Sequence, residues 1–293
     1  MNDAFLSIGL RLRGRDASIC EQHFFAAGAL AVSYFDAADE PILEPAPGTQ
    51  PLWSDARIEA LFAAEAVDVT LLPRLARDCG CEVSELLARS VANRAWEREW
   101  LRDFRAMRFG RRLWIAPTHD PVREPGACVV NLDPGLAFGT GTHESTRMCL
   151  EWLDGQLHPG DRVLDYGCGS GILAIAALRL GAARADAYDI DPQALAATRC
   201  NAIANDCLER LRIHDAARGL PDDCDLLLAN ILANTLVELA AYLSTRLRSG
   251  GRIVLAGILA EQQAAVTEAY RPWFDMRLSD RQNEWICLAG IRR

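Results

Sequence analysis

The chain has 293 residues, half of them apolar and 24% charged, enough for one large domain or two ordinary ones. Its formal net charge of −9 argues against a general nucleic-acid binder, which needs a positive surface to displace phosphate counterions. All 31 basic residues are arginine, so neither a Schiff-base lysine nor a lysine-bearing phosphate loop exists, and pyridoxal enzymes and standard P-loop nucleotidases are excluded.

The most apolar run, residues 226–243, is interrupted by Asn230, Asn234 and Glu238, so no membrane span is expected. The first residues lack a basic start, an apolar core and a small-residue cleavage site, and no signal peptide is expected. Ten cysteines are scattered singly, and the closest pair, Cys79 and Cys81, is one residue short of the usual metal or redox spacing. Reduced thiols, no metal site and a cytoplasmic location are the expectations.

Taken in order, the chain falls into three pieces. In residues 1–67, Phe5, Ile8, Leu10 and Leu12 punctuate a short strand, 18–30 read as a helix and 31–35 as a returning strand. Residues 41–51 carry four prolines and a glycine and read as loop, and 57–66 read as a helix. This order suggests a small α+β sandwich, and spacing alone leaves open whether it recognises a substrate or is a structural appendage. In residues 83–108, Leu86, Leu87, Val91, Ala95 and Trp96 fall at helical spacing, followed a turn apart by Trp100 and Phe104. Residues 68–128 are therefore expected to be a helical linker and connecting segment, including a short strand at 113–116.

Residues 129–293 alternate strand and helix. Strands are expected at 162–166, 185–190, 211–214, 224–229, 252–256 and 285–291, and helices at 171–180, 192–205, 234–247 and 261–269. Such alternation marks an α/β fold, a doubly wound Rossmann-like domain whose parallel sheet is covered on both faces.

The chemistry concentrates in Val163-Leu164-Asp165-Tyr166-Gly167-Cys168-Gly169-Ser170-Gly171. Gly167, Gly169 and Gly171 let the backbone turn sharply and approach a ligand, with a helix N-terminus just beyond. A glycine turn alone also fits nicotinamide and flavin enzymes. Here, however, the spacing is G-x-G-x-G, and Asp165 stands directly before it. A carboxylate there repels a pyrophosphate but can accept a bond from the ammonium of a methionine moiety, which favours S-adenosylmethionine.

Asp189 closes the next strand, where an acid can hold both ribose hydroxyls. Asp191 precedes Pro192 and is an alternative helix cap. Asp215 can reach an adenine edge or serve as a turn residue. Residues 136–146 form a polar loop with two glycines, able to close over a cofactor or simply to cap the helix at 147–153. Asn230 ends a buried apolar strand at the mouth of the sheet; its carbonyl can accept from a substrate amine, and helix capping is the alternative.

These residues resemble the methyltransferases of the large-subunit ribosomal protein L-eleven, the PrmA type, over nearly the whole chain. The resemblance is carried by Pro51-Leu52-Trp53, Trp96-Glu97-Arg98-Glu99-Trp100, Met107-Arg108-Phe109-Gly110, Leu113-Trp114-Ile115, the block from Leu132 to His143, the glycine turn, and Ala229-Asn230-Ile231-Leu232. It implies a class I S-adenosylmethionine-dependent enzyme that trimethylates side-chain and N-terminal amino groups of that protein. It further implies a ferredoxin-like N-terminal domain that grips the substrate, and a helical linker on which that domain swings. Carried over position by position, cofactor contacts fall on Thr146, Gly167, Asp189 and Asn230. Glu144 departs from the proline the family often has there. A monomer is expected, with no direct nucleic-acid or membrane partner. The rival readings are methylation of another amine, in a nucleic-acid base or a small molecule, a non-catalytic cofactor-binding assembly protein, and, last, a dinucleotide oxidoreductase.

Overall fold

The computed structural model describes residues 4–38, 40, 42, 51–92, 104–132 and 141–293. The chain divides into two compact units, Met1–Trp96 and Glu97–Arg293.

In the N-terminal unit, β1 (Ala4–Arg11) leads into α1 (Ala17–Ala26), which Asp16 caps by accepting from the Ile19 amide at 3.0 Å. Then follow β2 (Ala31–Asp36), β3 (Ala56–Ala63), α2 (Leu71–Asp78) and β4 (Leu87–Ala92). The strands form one antiparallel sheet in the order β2-β3-β1-β4. Ile8, Leu10, Ile58 and Phe62 of the sheet bury against Phe24 of α1 and Leu75 of α2.

Two expectations fail here. Residues 57–66 are not a helix: β3 alternates buried and half-buried positions along its whole length, a period of two that only a strand presents to one layer of helices. The helix expected from residue 83 does not begin there either. Leu87–Ala92 pairs with β1, so the small unit runs past residue 67 and its last strand lies within the segment expected to be linker. Residues 93–103, with the Trp96–Trp100 pair, lie outside the described residues, as do most of the proline-rich loop and residues 133–140.

The second unit opens with a three-stranded sheet of β5 (Met107–Phe109), β6 (Leu113–Ala116) and β7 (Cys128–Asn131). The main body then runs α3 (Glu144–Gln156), β8 (Arg162–Tyr166), α4 (Ile172–Leu180), β9 (Arg184–Tyr188), α5 (Pro192–Ala204) and β10 (Leu211–His214). It continues with β11 (Cys224–Asn230), α6 (Ala233–Ser244), β12 (Leu247–Leu259), α7 (Gln263–Tyr270), β13 (Phe274–Gln282) and β14 (Trp285–Arg292). Seven strands form one sheet in the order β10-β9-β8-β11-β12-β14-β13. The first five run parallel, β14 runs antiparallel between β12 and β13, and β13 returns to the direction of the first five, which gives the doubly wound α/β architecture expected.

Both faces of this sheet are covered, so its central strands are apolar throughout. Met148, Leu150, Ile172 and Ile175 of α3 and α4 fill one side, and Leu236, Leu243, Val266 and Tyr270 of α6 and α7 the other. At the N-terminal ends of the strands, Asp225 accepts from Arg162 at 2.9 Å and Arg248 at 2.5 Å, and Arg252 pairs with Asp161. All ten cysteines are free thiols, seven of them buried. Among the described residues no helix is long and apolar enough to cross a membrane, and no cluster suited to a metal ion is present.

Candidate active site

The strand order reverses at β8: β9 lies to one side of it and β11 to the other, so their C-terminal ends open a crevice. The glycine turn joins β8 to α4 across this crevice. Gly167 and Cys168 both donate their amides to the Tyr188 carbonyl, at 2.8 and 2.9 Å, which folds the turn onto the end of β9. Gly167 has φ +79°, and a Cβ there would stand 2.3 Å from Ile231 Cγ2. Only glycine suits both the dihedral and the space.

Asp189 sits just past β9 with its carboxylate held from both sides. Oδ2 accepts from the Gly169 amide at 2.9 Å and Oδ1 from the Asp191 amide at 3.0 Å. Asp191 is itself the cap of α5, accepting from Gln193 at 2.9 Å ahead of Pro192. Of the two acids at this strand end, one faces the crevice and the other serves the helix.

Asn230 ends β11. Its Nδ2 donates to Thr146 Oγ1 at 3.1 Å, and Thr146 lies buried in the first turn of α3. That bond fixes the plane of the amide and turns its oxygen away from Thr146. The cap of α3 is His143, whose Nδ1 accepts from the Ser145 amide at 3.2 Å while its ring meets Trp285 edge-on at 4.8 Å. Glu144 begins the helix and accepts from Asn283 in the β13–β14 turn at 3.1 Å. The carboxylate that departs from the family pattern thus ties α3 to the hairpin. Of the loop expected to act as a lid, residues 136–146, the part up to residue 140 lies outside the described residues.

Thr146, Gly167, Gly169, Asp189 and Asn230 line a single cavity of about 350 Å³. Tyr166 and Tyr188, their rings tilted at 46° with centroids 4.8 Å apart, also contribute, and the side chains of Ile190 and Leu232, 85% and 60% exposed, form apolar lips. Two expected residues stand outside its wall. Gly171 initiates α4 and packs beside Thr198 of α5, a role in helix packing. Asp165 is fully enclosed: Oδ2 accepts from the Ala174 amide at 3.0 Å, and Oδ1 has no partner among the described residues. Burial, with a smaller contribution from the charge of Asp189, raises its carboxyl to about 7, against the opposing pull of the Ala174 amide. Asp215 is exposed and does not line the cavity.

The donor set fits S-adenosylmethionine. Asp189 keeps free lone pairs for a vicinal diol, the apolar lips suit a flat base, and among the described residues no cationic side chain lines the cavity to neutralise a pyrophosphate. The volume lies in the ordinary range for small-molecule sites.

Gly257, in β12, was not anticipated. With φ +76°, a Cβ on it would stand 2.5 Å from the Ile231 carbonyl oxygen, so it lets β12 pass directly against the turn that follows Asn230. The signal was present as an isolated glycine inside an apolar strand run, which marks a close backbone approach.

The profile of the family described as ribosomal protein L11 methyltransferase (PrmA) matches residues 4–293. A ribosomal protein L11 methyltransferase of Methylococcus capsulatus is 52% identical over 270 residues, covering 91% of this chain and 92% of its own. One from Pseudomonas paraeruginosa is 48% identical over 290 residues, with 99% of each chain covered. Among solved structures, a ribosomal protein L11 methylase from Lactobacillus delbrueckii subsp. bulgaricus superposes with a TM-score of 0.60 at 31% identity, covering 65% of this chain and all of that one.

Proposed function

The chain belongs to the ribosomal protein L11 methyltransferase family, the S-adenosylmethionine-dependent enzymes, and on that premise we propose that it methylates lysine side chains and the N-terminal amino group of the ribosomal protein L11. The observation that carries the reading is the placement of Asp189 and Asn230 at the ends of the strands flanking β8, both lining one cavity with no cationic side chain among the described residues. Bound there, S-adenosylmethionine supplies an electrophilic methyl group on sulfur.

The chain's own task is to present a neutral amine in line with that methyl. A lysine amine with a pKa near 10.4 costs about 4 kcal/mol to deprotonate at pH 7.4, and an α-amine near 8 costs less than about 1 kcal/mol. Asp189, engaged by two amides, is placed to hold a ribose rather than to take this proton. We assign to the Asn230 carbonyl the role of accepting an N–H from the incoming amine, with solvent receiving the proton. Positioning then supplies most of the acceleration. Thr146, Gly167, Gly169 and Asp189 form the cofactor-binding set in this reading, and Asn230 is the catalytic residue.

The N-terminal unit is read as a ferredoxin-like substrate-gripping domain. Its β-α-β-β-α-β order and four-stranded antiparallel sheet support that assignment. A monomer in the cytoplasm with no nucleic-acid partner completes the reading, and ten reduced thiols support that location.

Mass spectrometry of purified L11 after incubation with the enzyme and S-adenosylmethionine tests it. Gains of whole methyl equivalents on lysines and the N-terminus are expected. Cofactor binding without any gain would send the search to another amine.

A further inference from the structure

Asp165 is the penultimate residue of β8, and the cavity wall begins at the next residue, Tyr166. Its carboxyl is fully buried yet only half bonded, with Oδ2 on the Ala174 amide and Oδ1 on no group among the described residues. A buried carboxylate oxygen without a donor is costly, so such a group holds a proton or answers to a cation. The register partners, Ala187 on β9 and Leu228 on β11, are apolar. The titratable neighbours are Asp189 beyond β9, Cys168 in the glycine turn, and Cys149 on α3, whose thiol is hydrogen-bonded to the thiol of Cys287 of β14. None of these is a cation. Asp189 disfavours a second negative charge, and burial raises both Cys168 and, together with the Cys287 bond, Cys149.

We infer that Asp165 reads the charge of the cofactor: in the cofactor-free protein it keeps its proton up to near-neutral pH, and it releases that proton to solvent when a cation enters the adjoining cavity. The inference rests on the reading of that cavity as an S-adenosylmethionine site. The cofactor carries a sulfonium, and the product S-adenosylhomocysteine carries a neutral thioether with the same ammonium and carboxylate. An ionised Asp165 therefore favours the methyl donor over the spent product. Methyl transfer removes the positive charge, the carboxylate takes a proton back from solvent, and the hold on the product weakens. The O–H bond broken on binding is re-formed on turnover, so the cycle balances. For an enzyme that must exchange product for fresh donor between successive transfers, this is a selectivity device placed outside the contact surface.

The full chain is titrated calorimetrically with S-adenosylmethionine and, separately, with S-adenosylhomocysteine, in buffers of different ionisation enthalpy between about pH 6 and pH 8. For S-adenosylmethionine, net proton release and an affinity that rises several-fold across this range are expected; one linked proton limits the slope to about tenfold per pH unit. For S-adenosylhomocysteine the slope is shallower and the proton count smaller; the comparison is read at the acidic end of the range, where the ammonium of both ligands keeps its proton and the difference belongs to the protein. Asp165→Asn removes the difference between the two ligands. Equal slopes and equal proton counts in the unmodified chain overturn the inference while leaving the site intact, and this comparison decides even if the variant does not fold. Failure to bind either compound overturns the reading of the site and the inference with it.

Discussion

The hydrogen bond from Asn230 Nδ2 to Thr146 Oγ1, 3.1 Å long, ties the end of β11 to the first turn of α3 across 84 positions of sequence. It makes Thr146 a positioning residue for the Asn230 carbonyl as well as part of the cavity wall. Thr146→Val keeps the volume and removes the acceptor. Turnover is expected to fall about tenfold, the loss of roughly one oriented hydrogen bond, with a smaller change in cofactor affinity. If affinity falls and kcat holds, Thr146 is a cofactor contact and nothing more.

Asn230→Ala removes the carbonyl itself. A loss of turnover of about 100-fold or more is expected with cofactor affinity nearly intact, because orientation of the amine is lost and the binding surface is not. Single-turnover kinetics alongside equilibrium binding separate the two effects. Unchanged turnover would falsify the assignment of Asn230.

Asp189→Asn keeps the shape of the ribose-binding group and discards its charge. Charge-assisted hydrogen bonds contribute about 1.5–3 kcal/mol, so cofactor affinity is expected to weaken by about 10- to 100-fold. Circular dichroism of the cofactor-free variant checks that the Gly169 and Asp191 amides keep the turn in place. An affinity within twofold of the unmodified chain would remove Asp189 from the site.

Gly167→Ala meets two obstacles, a φ of +79° and Ile231 Cγ2 at 2.3 Å from the new methyl. The left-handed backbone costs about 1–2 kcal/mol, and the overlap adds to it. Adding Ile231→Ala relieves the overlap and leaves the dihedral cost. The double variant is therefore expected to melt above Gly167→Ala and below Ile231→Ala. A double variant no more stable than Gly167→Ala shows that the dihedral is the whole obstacle.

The folded chain raises Asp165 to about 7 by burial, above the ordinary aspartate value near 3.9. The folded state therefore binds a proton that the unfolded state has already lost. The stability of the cofactor-free protein falls as pH rises from about 4 to about 7 and is then level with respect to this group. Denaturant titrations of Asp165→Asn beside the unmodified chain are expected to shift in the variant's favour over that same interval. A difference constant with pH means that the buried carboxyl ionises as freely folded as unfolded.

The second unit was largely legible because its residues answer to local rules. Residues 162–166 and 211–214 are short apolar strands bounded by turn residues, and the glycine turn declares itself by composition. The N-terminal unit was less legible. In β3, Leu61 and Phe62 adjoin Ala60, so the segment satisfies a helical and an alternating pattern at once, and only pairing with β1 and β2 selects the strand. Leu87–Ala92 extends a helical spacing that continues to Phe104, yet the open edge of β1 takes it as a partner. In β13, Phe274–Gln282, polar residues dominate, and the strand exists because it pairs with β14 at the sheet edge. At the site, residue types gave Asp189 and Asn230. The bond to Thr146 joins distant segments and leaves no local pattern, while Gly257 marks a close approach in its strand without showing that the partner is Ile231.

The ion pairs that brace the sheet, Arg162 and Arg248 on Asp225 and Arg252 on Asp161, are made by guanidinium groups, as every basic side chain in the chain must be. An enzyme whose acceptor is a primary amine ordinarily carries competing acceptors on its own surface. This one presents none on any side chain. Whatever methyl it activates has no lysine of its own catalyst to land on, so no side-chain amine of the enzyme competes with the substrate for the donor.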